Sequence, residues 1–244
     1  MVSVCLACYN GEKYIKEQIS SILSQLGDDD ELVISDDGSE DDTIEIVNSF
    51  HDYRIKVFAN KDEHGFVGNF NNALCKANGD IIFLCDQDDI WLKDKVYRVS
   101  AYLERYDLVV HDANIVDGEG RLKGYTYYST MHSGTGFLMN LWKTRFLGCC
   151  MAFRRSVLDA CLPIPKNVVA HDYWIGMYSV LCFKVKFVPD VLISYRRHGE
   201  NVSPSGEKSD TNIFFKLVSK RGVILYEIAK RLVASCYSFL MRCL

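Results

Sequence analysis

The first 86 residues alternate between short apolar runs and segments of helical period, and that alternation leaves few folds open. Val2 to Cys8 reads as a strand, broken by Tyr9-Asn10-Gly11. Glu12 to Leu26 follows with Tyr14, Ile15, Ile19, Ile22, Leu23 and Leu26 at helical spacing, and Gly27 stops it. Glu31 to Ser35 is a second strand ending in Asp36-Asp37-Gly38-Ser39, where Ser39 or Asp41 can cap a helix running to about Phe50. Arg54 to Ala59 is a third strand, followed by a polar loop with Gly65 and a helix over Val67 to Ala77 that Asn78-Gly79 ends. Ile81 to Cys85 is apolar throughout, as in a strand buried on both faces. This order predicts an α/β fold with a Rossmann-like, mostly parallel central sheet flanked by helices.

In such sheets ligands lie beyond the carboxyl ends of the strands. Three of the four strands end in polar groups: Tyr9-Asn10, Asp36-Asp37 and Asp86-Gln87-Asp88-Asp89. Carboxylates crowded at a strand end repel one another unless a hard divalent cation takes their oxygens as ligands. Taken alone, the cluster also reads as a solvated acidic turn. No G-x-G-x-x-G follows the first strand and no G-x-x-x-x-G-K-[ST] occurs, which excludes the dinucleotide and P-loop fingerprints. An acidic edge accepts hydrogen bonds from a base and a ribose but repels phosphates. It therefore suits a nucleoside diphosphate bridged by Mg²⁺ or Mn²⁺.

The net charge of -4 argues against a nucleic-acid binder driven by bulk electrostatics. No uncharged apolar run reaches the roughly 18 residues of a membrane span. The start, Met1-Val2-Ser3-Val4, shows no basic segment or cleavage site, so a cytoplasmic location is expected. Cys5 and Cys8 form a C-x-x-C, but residues three apart in a strand face opposite ways, and no second C-x-x-C completes a zinc site. The ten cysteines read mainly as small buried hydrophobes.

Downstream, Leu92 to Tyr106 reads as a helix, Leu108 to His111 as a strand, and Asp117 to Gly120 as a hairpin-type turn. Tyr125 to Gly136 reads as a surface loop, Phe137 to Phe146 as a helix, and Gly148 to Phe153 as a buried strand. Asp172 opens a helix over Tyr173 to Cys182, and Lys184 to Ser194 is strand-like with a break at Pro189. Leu217, Ile224, Leu225, Ile228, Leu232 and Phe239 recur at helical spacing near the end of the chain. Lys216, Lys220, Arg221, Lys230, Arg231 and Arg242 against Glu227 give residues 214–244 a charge of six minus one, +5. A basic amphipathic helix over 211–244 is expected to lie in a membrane interface. The alternative is a helix packed on the domain, or a dimer contact.

Ala7-Cys8-Tyr9-Asn10, Asp36-Asp37-Gly38-Ser39 and Asp86-Gln87-Asp88-Asp89-Ile90-Trp91 resemble three signatures of family 2 glycosyltransferases. The resemblance continues in Gly148-Cys149-Cys150-Met151, His171-Asp172-Tyr173-Trp174 and Tyr195-Arg196-Arg197-His198, in order over roughly residues 1 to 205. It implies the GT-A fold and inverting transfer from a nucleotide sugar, and is most similar to bacterial O-antigen, lipopolysaccharide and other polysaccharide enzymes, rhamnosyltransferases among them. It implies a catalytic domain over 1–210, with 1–110 binding the nucleotide sugar and 111–210 the acceptor. Asp88 would bind Mn²⁺ or Mg²⁺, with Asp86 and His198 in the same shell. Ala7, Tyr9, Asn10, Glu12, Asp36, Asp37, Gly65, Asn69, Asp86, Gln87, Arg196 and Arg197 would hold the nucleotide sugar. Asp172 would be the general base, with helix capping as the other reading of the same residue. Trp91, Gly148, Cys149, His171, Tyr173 and Trp174 would face the acceptor. The implied donor is dTDP-rhamnose or a UDP-sugar. The implied acceptor is a lipid-linked oligosaccharide at the inner face of the cell membrane, where the protein would be peripheral; a homodimer is left open. Two other functions compete. A sugar-nucleotide nucleotidyltransferase would carry a Gly-rich phosphate loop where Tyr9-Asn10-Gly11-Glu12-Lys13 stands, and a thiol or zinc module would rest on Cys5 and Cys8.

Overall fold

The computed structural model describes residues 1–131, 134–198 and 221–234. The first part runs β1 (Val2–Cys8), α1 (Ile15–Leu23), β2 (Glu31–Asp36), α2 (Thr43–Asn48), β3 (Ile55–Ala59), α3 (Phe66–Lys76) and β4 (Ile81–Asp86). The alternation read from sequence is present throughout. The second part runs β5 (Ile90–Trp91), α4 (Lys95–Leu103), β6 (Leu108–Val116), β7 (Leu122–Thr126), α5 (Tyr127–Met131) and α6 (Phe137–Trp142). A 3-10 turn (Gly148–Cys150), β8 (Met151–Arg154), α7 (Arg155–Cys161), α8 (His171–Cys182) and β9 (Val185–Arg196) follow, and α9 spans 221–234.

All strands join one sheet in the order β3-β2-β1-β4-β8-β6-β9-β5, with β7 paired to β6. The run β3-β2-β1-β4 is parallel; β8 then pairs antiparallel with both β4 and β6. Apolar strands β1, β2 and β4 are covered on both faces, and Val4, Leu6, Leu32, Ile34, Ile82 and Leu84 are fully buried. The face that α1 presents carries Ile15, Ile19 and Ile22; α3 contributes Phe70, Ala73 and Leu74. Each of the larger side chains contributes roughly 1.5–3 kcal/mol on leaving water. Register then places the site: Cys8 pairs with Asp36, and Ala7 with Asp86. The three polar strand ends therefore lie side by side.

Several boundaries differ from the sequence reading. Residues 90–91 pair with β9, and Asp94 turns through a left-handed conformation (φ 64°), so α4 begins at Lys95 rather than Leu92. Strand β6 continues to Val116, because β9 supplies a partner along its length. Pro189 does not end β9: register jumps from His111↔Val188 to Asp112↔Val191, and the residue lacking an N–H is left out of the ladder. The segment from Tyr125 onward holds the end of β7 and α5 rather than a bare loop, and α7 was not foreseen. Helix α8 starts at His171 with Ala170 as its cap, so Asp172 lies inside the first turn and is not the N-cap.

Helix α9 packs on the domain. Ile224 and Ile228 are buried. Arg231 donates to the carbonyls of Ala160, Leu162 and Pro163 at 3.2, 2.6 and 2.7 Å, and its guanidinium lies 5.6 Å from the Trp174 ring centre. Arg221 donates to Leu141 O at 2.8 Å and to Trp142 O. Over 221–234, Ile224, Ile228 and part of Leu232 are thus turned inward with two of the cations, while Leu225 stays exposed. Lys216, Leu217, Lys220, Phe239 and Arg242 lie outside the described residues. Among the described residues no helix is long and apolar enough to cross a membrane. Ile228→Ala should cost about 2 kcal/mol of unfolding free energy in urea titration, as expected of a buried isoleucine; no change would mean that α9 adds nothing to the domain.

Candidate active site

The donor-side residues are of two kinds: a few stay open, and most brace the loops. Tyr9 is 53% exposed at the end of β1, and its ring is free to stack. Its backbone is clamped by Gln87, whose Oε1 accepts from Tyr9 N at 2.8 Å and whose Nε2 donates to Tyr9 O at 3.1 Å. Asn10 Oδ1 accepts from Glu40 N at 2.9 Å, and Glu12 Oε2 accepts from Asp42 N at 3.1 Å, tying the β1 loop to the turn after β2. Asp36 accepts from Gly38 N and Ser39 N, both at 3.1 Å, and so closes its own turn. Asp37 reaches outward to Asn60 Nδ2 and Gly65 N, both 2.7 Å away, and to His64 Nδ1 at 3.0 Å. Gly65 has φ 97°, a conformation that favours glycine. Asn69 is buried, donating to Cys8 O at 2.9 Å at the end of β1.

The acidic strand end is the electrostatic centre. Asp88 Oδ2 lies 2.8 Å from His198 Nε2, a contact between residues 110 apart in the chain. Burial, then the charges of Asp88 and Asp172, push Asp86 up to about 7. Burial and the neighbouring Asp88 and Asp86 also hold Asp89 well above the usual carboxylate range. Asp89 accepts from Arg196 N at 2.9 Å through Oδ1, and the Cys149 thiol lies beside the same buried carboxyl. Two groups offer themselves to a cation. Ligand atoms of Asp86, Asp89 and Cys149 fall within 4.8 Å of one another. However, burial raises the Cys149 thiol well above its ordinary value, so it stays protonated, and Mg²⁺ or Mn²⁺ prefers oxygen. The Asp88–His198 pair suits such an ion better, since neighbouring ligands in a shell of ~2.1 Å bonds stand about 3 Å apart.

Arg196 lies deeper. It is 3% exposed, and its guanidinium donates to Asp88 O, Gly118 O and Glu17. Arg197, half-buried beside it, donates its amide to Val116 O at 2.9 Å, and no ion pair engages its guanidinium among the described residues.

On the acceptor side, Asp172 Oδ1 accepts from Tyr173 N at 2.7 Å. Burial pushes its carboxyl up to about 6, against the pull of the Tyr173 and Gly148 amides. His171 stacks on Phe70 at 3.7 Å between ring centres, and burial lowers it to about 3, so the imidazole is neutral. Gly148 is demanded by close approach: a Cβ there would stand 3.1 Å from His171 Nε2 and 3.5 Å from Asp172 Cβ. Tyr173, nearly buried, directs its hydroxyl toward Leu141 O at 3.5 Å. The other three residues expected on the acceptor side are interior as well. Trp174 is fully buried and donates Nε1 to Cys161 O at 2.9 Å. Trp91 is covered by the Lys95 ammonium, 4.1 Å from its ring centre. Cys149 is buried, its carbonyl accepting from Lys95 Nζ at 2.8 Å. Each is apolar enough to be claimed by the core.

Sequence reasoning passed over Asp89 as a separate group, the fully buried Lys95, and Tyr127, a buried tyrosine that feels the Asp172 charge. Gln18 was missed as well; its Nε2 donates to Asp86 O at 2.9 Å and so fixes the end of β4 from α1. Its position on an otherwise apolar, buried helix face was the available signal. Cys5 and Cys8 are buried free thiols.

The model of glycosyl transferase family 2 matches residues 3–162. WfgD of Escherichia coli, a UDP-Glc:alpha-D-GlcNAc-diphosphoundecaprenol beta-1,3-glucosyltransferase, is 41% identical over 96 residues, 39% of this chain and 38% of that protein. Among solved structures, residues 1–349 of S. aureus TarS in complex with UDP-GlcNAc superpose with a TM-score of 0.71 at 22% identity, covering 91% of this chain and 66% of that one. The mannosyltransferase PcManGT from Pyrobaculum calidifontis, in complex with GDP-Man and Mn²⁺, gives a TM-score of 0.62 at 20% identity, covering 97% and 75%. The chain thus spans well under half of WfgD and 66% of the TarS chain.

Proposed function

The chain belongs to glycosyl transferase family 2 and has the GT-A fold, and on that premise we propose that it moves a sugar from a nucleoside-diphosphate sugar to a saccharide acceptor by a single inverting displacement. The observation that carries this reading is the contact of Asp88 with His198 at the same strand edge whose Asp86 feels the charge of Asp172. That contact gathers a metal-ligand pair and a base candidate from distant parts of the chain. Tyr9 stacks on the base, Asp37 anchors the loop that faces it, and Arg197 meets the diphosphate. Asp88 and His198 would hold Mn²⁺ or Mg²⁺, and the ion when bound would offset the charge that builds on the leaving nucleoside diphosphate. Residues 1–110 serve the donor and residues 111–210 the acceptor.

Asp172 accepts the proton of the attacking hydroxyl. Inversion needs one such carboxylate, and a base works best when its own pKa lies near the working pH. Activity should therefore follow the deprotonated form. With the carboxyl raised to about 6, kcat/KM should fall tenfold per pH unit below that value and level off above it. A profile flat down to pH 4.5 would remove Asp172 from the proton transfer.

For the acceptor, the name of WfgD favours a lipid-linked diphosphate saccharide. Exposed Leu138, Met139 and Trp142 on α6, with Leu225, Tyr226 and Val233 on α9, supply an apolar surface suited to a peripheral position on a membrane. A UDP-sugar is the favoured donor, with dTDP-rhamnose the second choice. A screen of sugar nucleotides with Mn²⁺, read as thermal stabilisation and donor hydrolysis, tests the reading, because a bound donor stabilises by mass action. Absence of any response across UDP-, dTDP- and GDP-sugars would overturn it.

A further inference from the structure

Arg196 binds through every edge of its guanidinium. Nε donates to Asp88 O at 2.8 Å, Nη1 to Gly118 O at 2.9 Å, and Nη2 to Glu17 Oε2 at 2.8 Å. Its own amide donates to Asp89 Oδ1 at 2.9 Å. The guanidinium plane lies over Tyr14, 4.7 Å from the ring centre, and the same ring stands 5.0 Å from that of His198. These contacts reach α1, the acidic end of β4, the turn after β6, and the end of β9 that leads two residues on to His198. A buried guanidinium has to be paired in this way, since an uncompensated interior charge costs several kcal/mol.

We infer that Arg196 is a positioning residue that holds Asp88 and His198 in the arrangement a divalent cation requires, without touching the diphosphate. It pins the Asp88 backbone directly and orders His198 through the Tyr14 ring that both contact. The planar fork matters: a lysine is a point donor and cannot reach two carbonyls and a carboxylate from fixed directions. Glu17 completes the clamp from the solvent side, where its side chain is 59% exposed. This inference rests on the metal reading above.

The test uses the whole chain and two titrations: Mn²⁺ alone, followed by electron paramagnetic resonance, and UDP in excess chelator, followed by calorimetry. Arg196→Lys should weaken Mn²⁺ about 10- to 100-fold, the usual effect of losing a partner behind a metal ligand, and leave metal-free UDP binding unchanged. An arginine that contacts the diphosphate would show the reverse, and that result would overturn the inference, as would unchanged Mn²⁺ affinity. Glu17→Gln alters an exposed position and should give a smaller loss in the same direction. It decides the matter if Arg196→Lys does not fold, and unchanged Mn²⁺ affinity there would count against the clamp. His198→Ala separates the two levels. If it leaves Mn²⁺ binding intact, the metal site itself is wrong; if it abolishes binding while Arg196→Lys does not, the positioning role alone fails.

Discussion

Asp172→Asn should lose about a hundredfold or more in turnover while making the metal-free protein more stable at neutral pH. The first effect follows from the role: the amide keeps the size and one acceptor oxygen but cannot take the acceptor's proton, and general-base contributions are of that size. Donor binding should be largely unaffected. The second effect follows from the cost of the charge. The carboxyl titrates near 3.8 in the unfolded chain and near 6 in the fold, chiefly because it is buried. Between those values the folded state binds more protons than the unfolded state, so stability drops as pH rises. Above about 6 the full penalty applies; below about 3.8 there is none. Two pH units correspond to roughly 3 kcal/mol, but Asp172 is only partly covered, so screening leaves a gain of about 1 kcal/mol for the asparagine variant. Urea unfolding at pH 5 and pH 7.5 measures it, and the variants should converge toward pH 4. Near wild-type transfer by Asp172→Asn would leave the residue as a structural part of the first turn of α8.

Asp88→Ala should be as damaging for a different reason. It removes one of the two groups that meet at 2.8 Å and leaves His198 without its carboxylate. Turnover should fall about a hundredfold or more, the scale seen when a preorganised charge at a developing anion is lost. Mn²⁺-dependent UDP binding should weaken as well, which separates this variant from Asp172→Asn. Circular dichroism should be unchanged, since alanine keeps the backbone carbonyl that Arg196 holds. Excess chelator should reproduce the loss in the wild type, and Mn²⁺ or Mg²⁺ should restore it. Full turnover in chelator would show that basic groups alone, Arg197 first among them, balance the diphosphate.

The parallel half of the fold was legible because its signals are local. Strand β1 and strand β4 announce themselves as apolar runs, α1 and α3 as stripes at helical spacing, and the turns by Asn10-Gly11, Asp37-Gly38 and Asn78-Gly79. Once β1 lies between β2 and β4, the strand-end carboxylates have to gather, so Asp36, Asp37, Asp86 and Asp88 were placed at one edge without coordinates. Which of these side chains stay open was another matter. Tyr9 and Asn69 look equally available in the sequence, yet one is open to solvent and the other lies under Cys8. Trp174 and Trp91 look like binding aromatics beside charged motifs, but each is covered, by Arg231 in one case and by Lys95 in the other. The stripe on α9 carried a correct helical period and no indication of what would meet it. Arg196 shows the cause most directly: its guanidinium partners Glu17 across 179 residues of chain and Asp88 across 108. Backbone periodicity and turn chemistry act over a few residues and survive in the order of the amino acids. Burial and the pairing of charge depend on which distant surfaces the packed sheet brings together, and those were decided only when the two halves closed on one another.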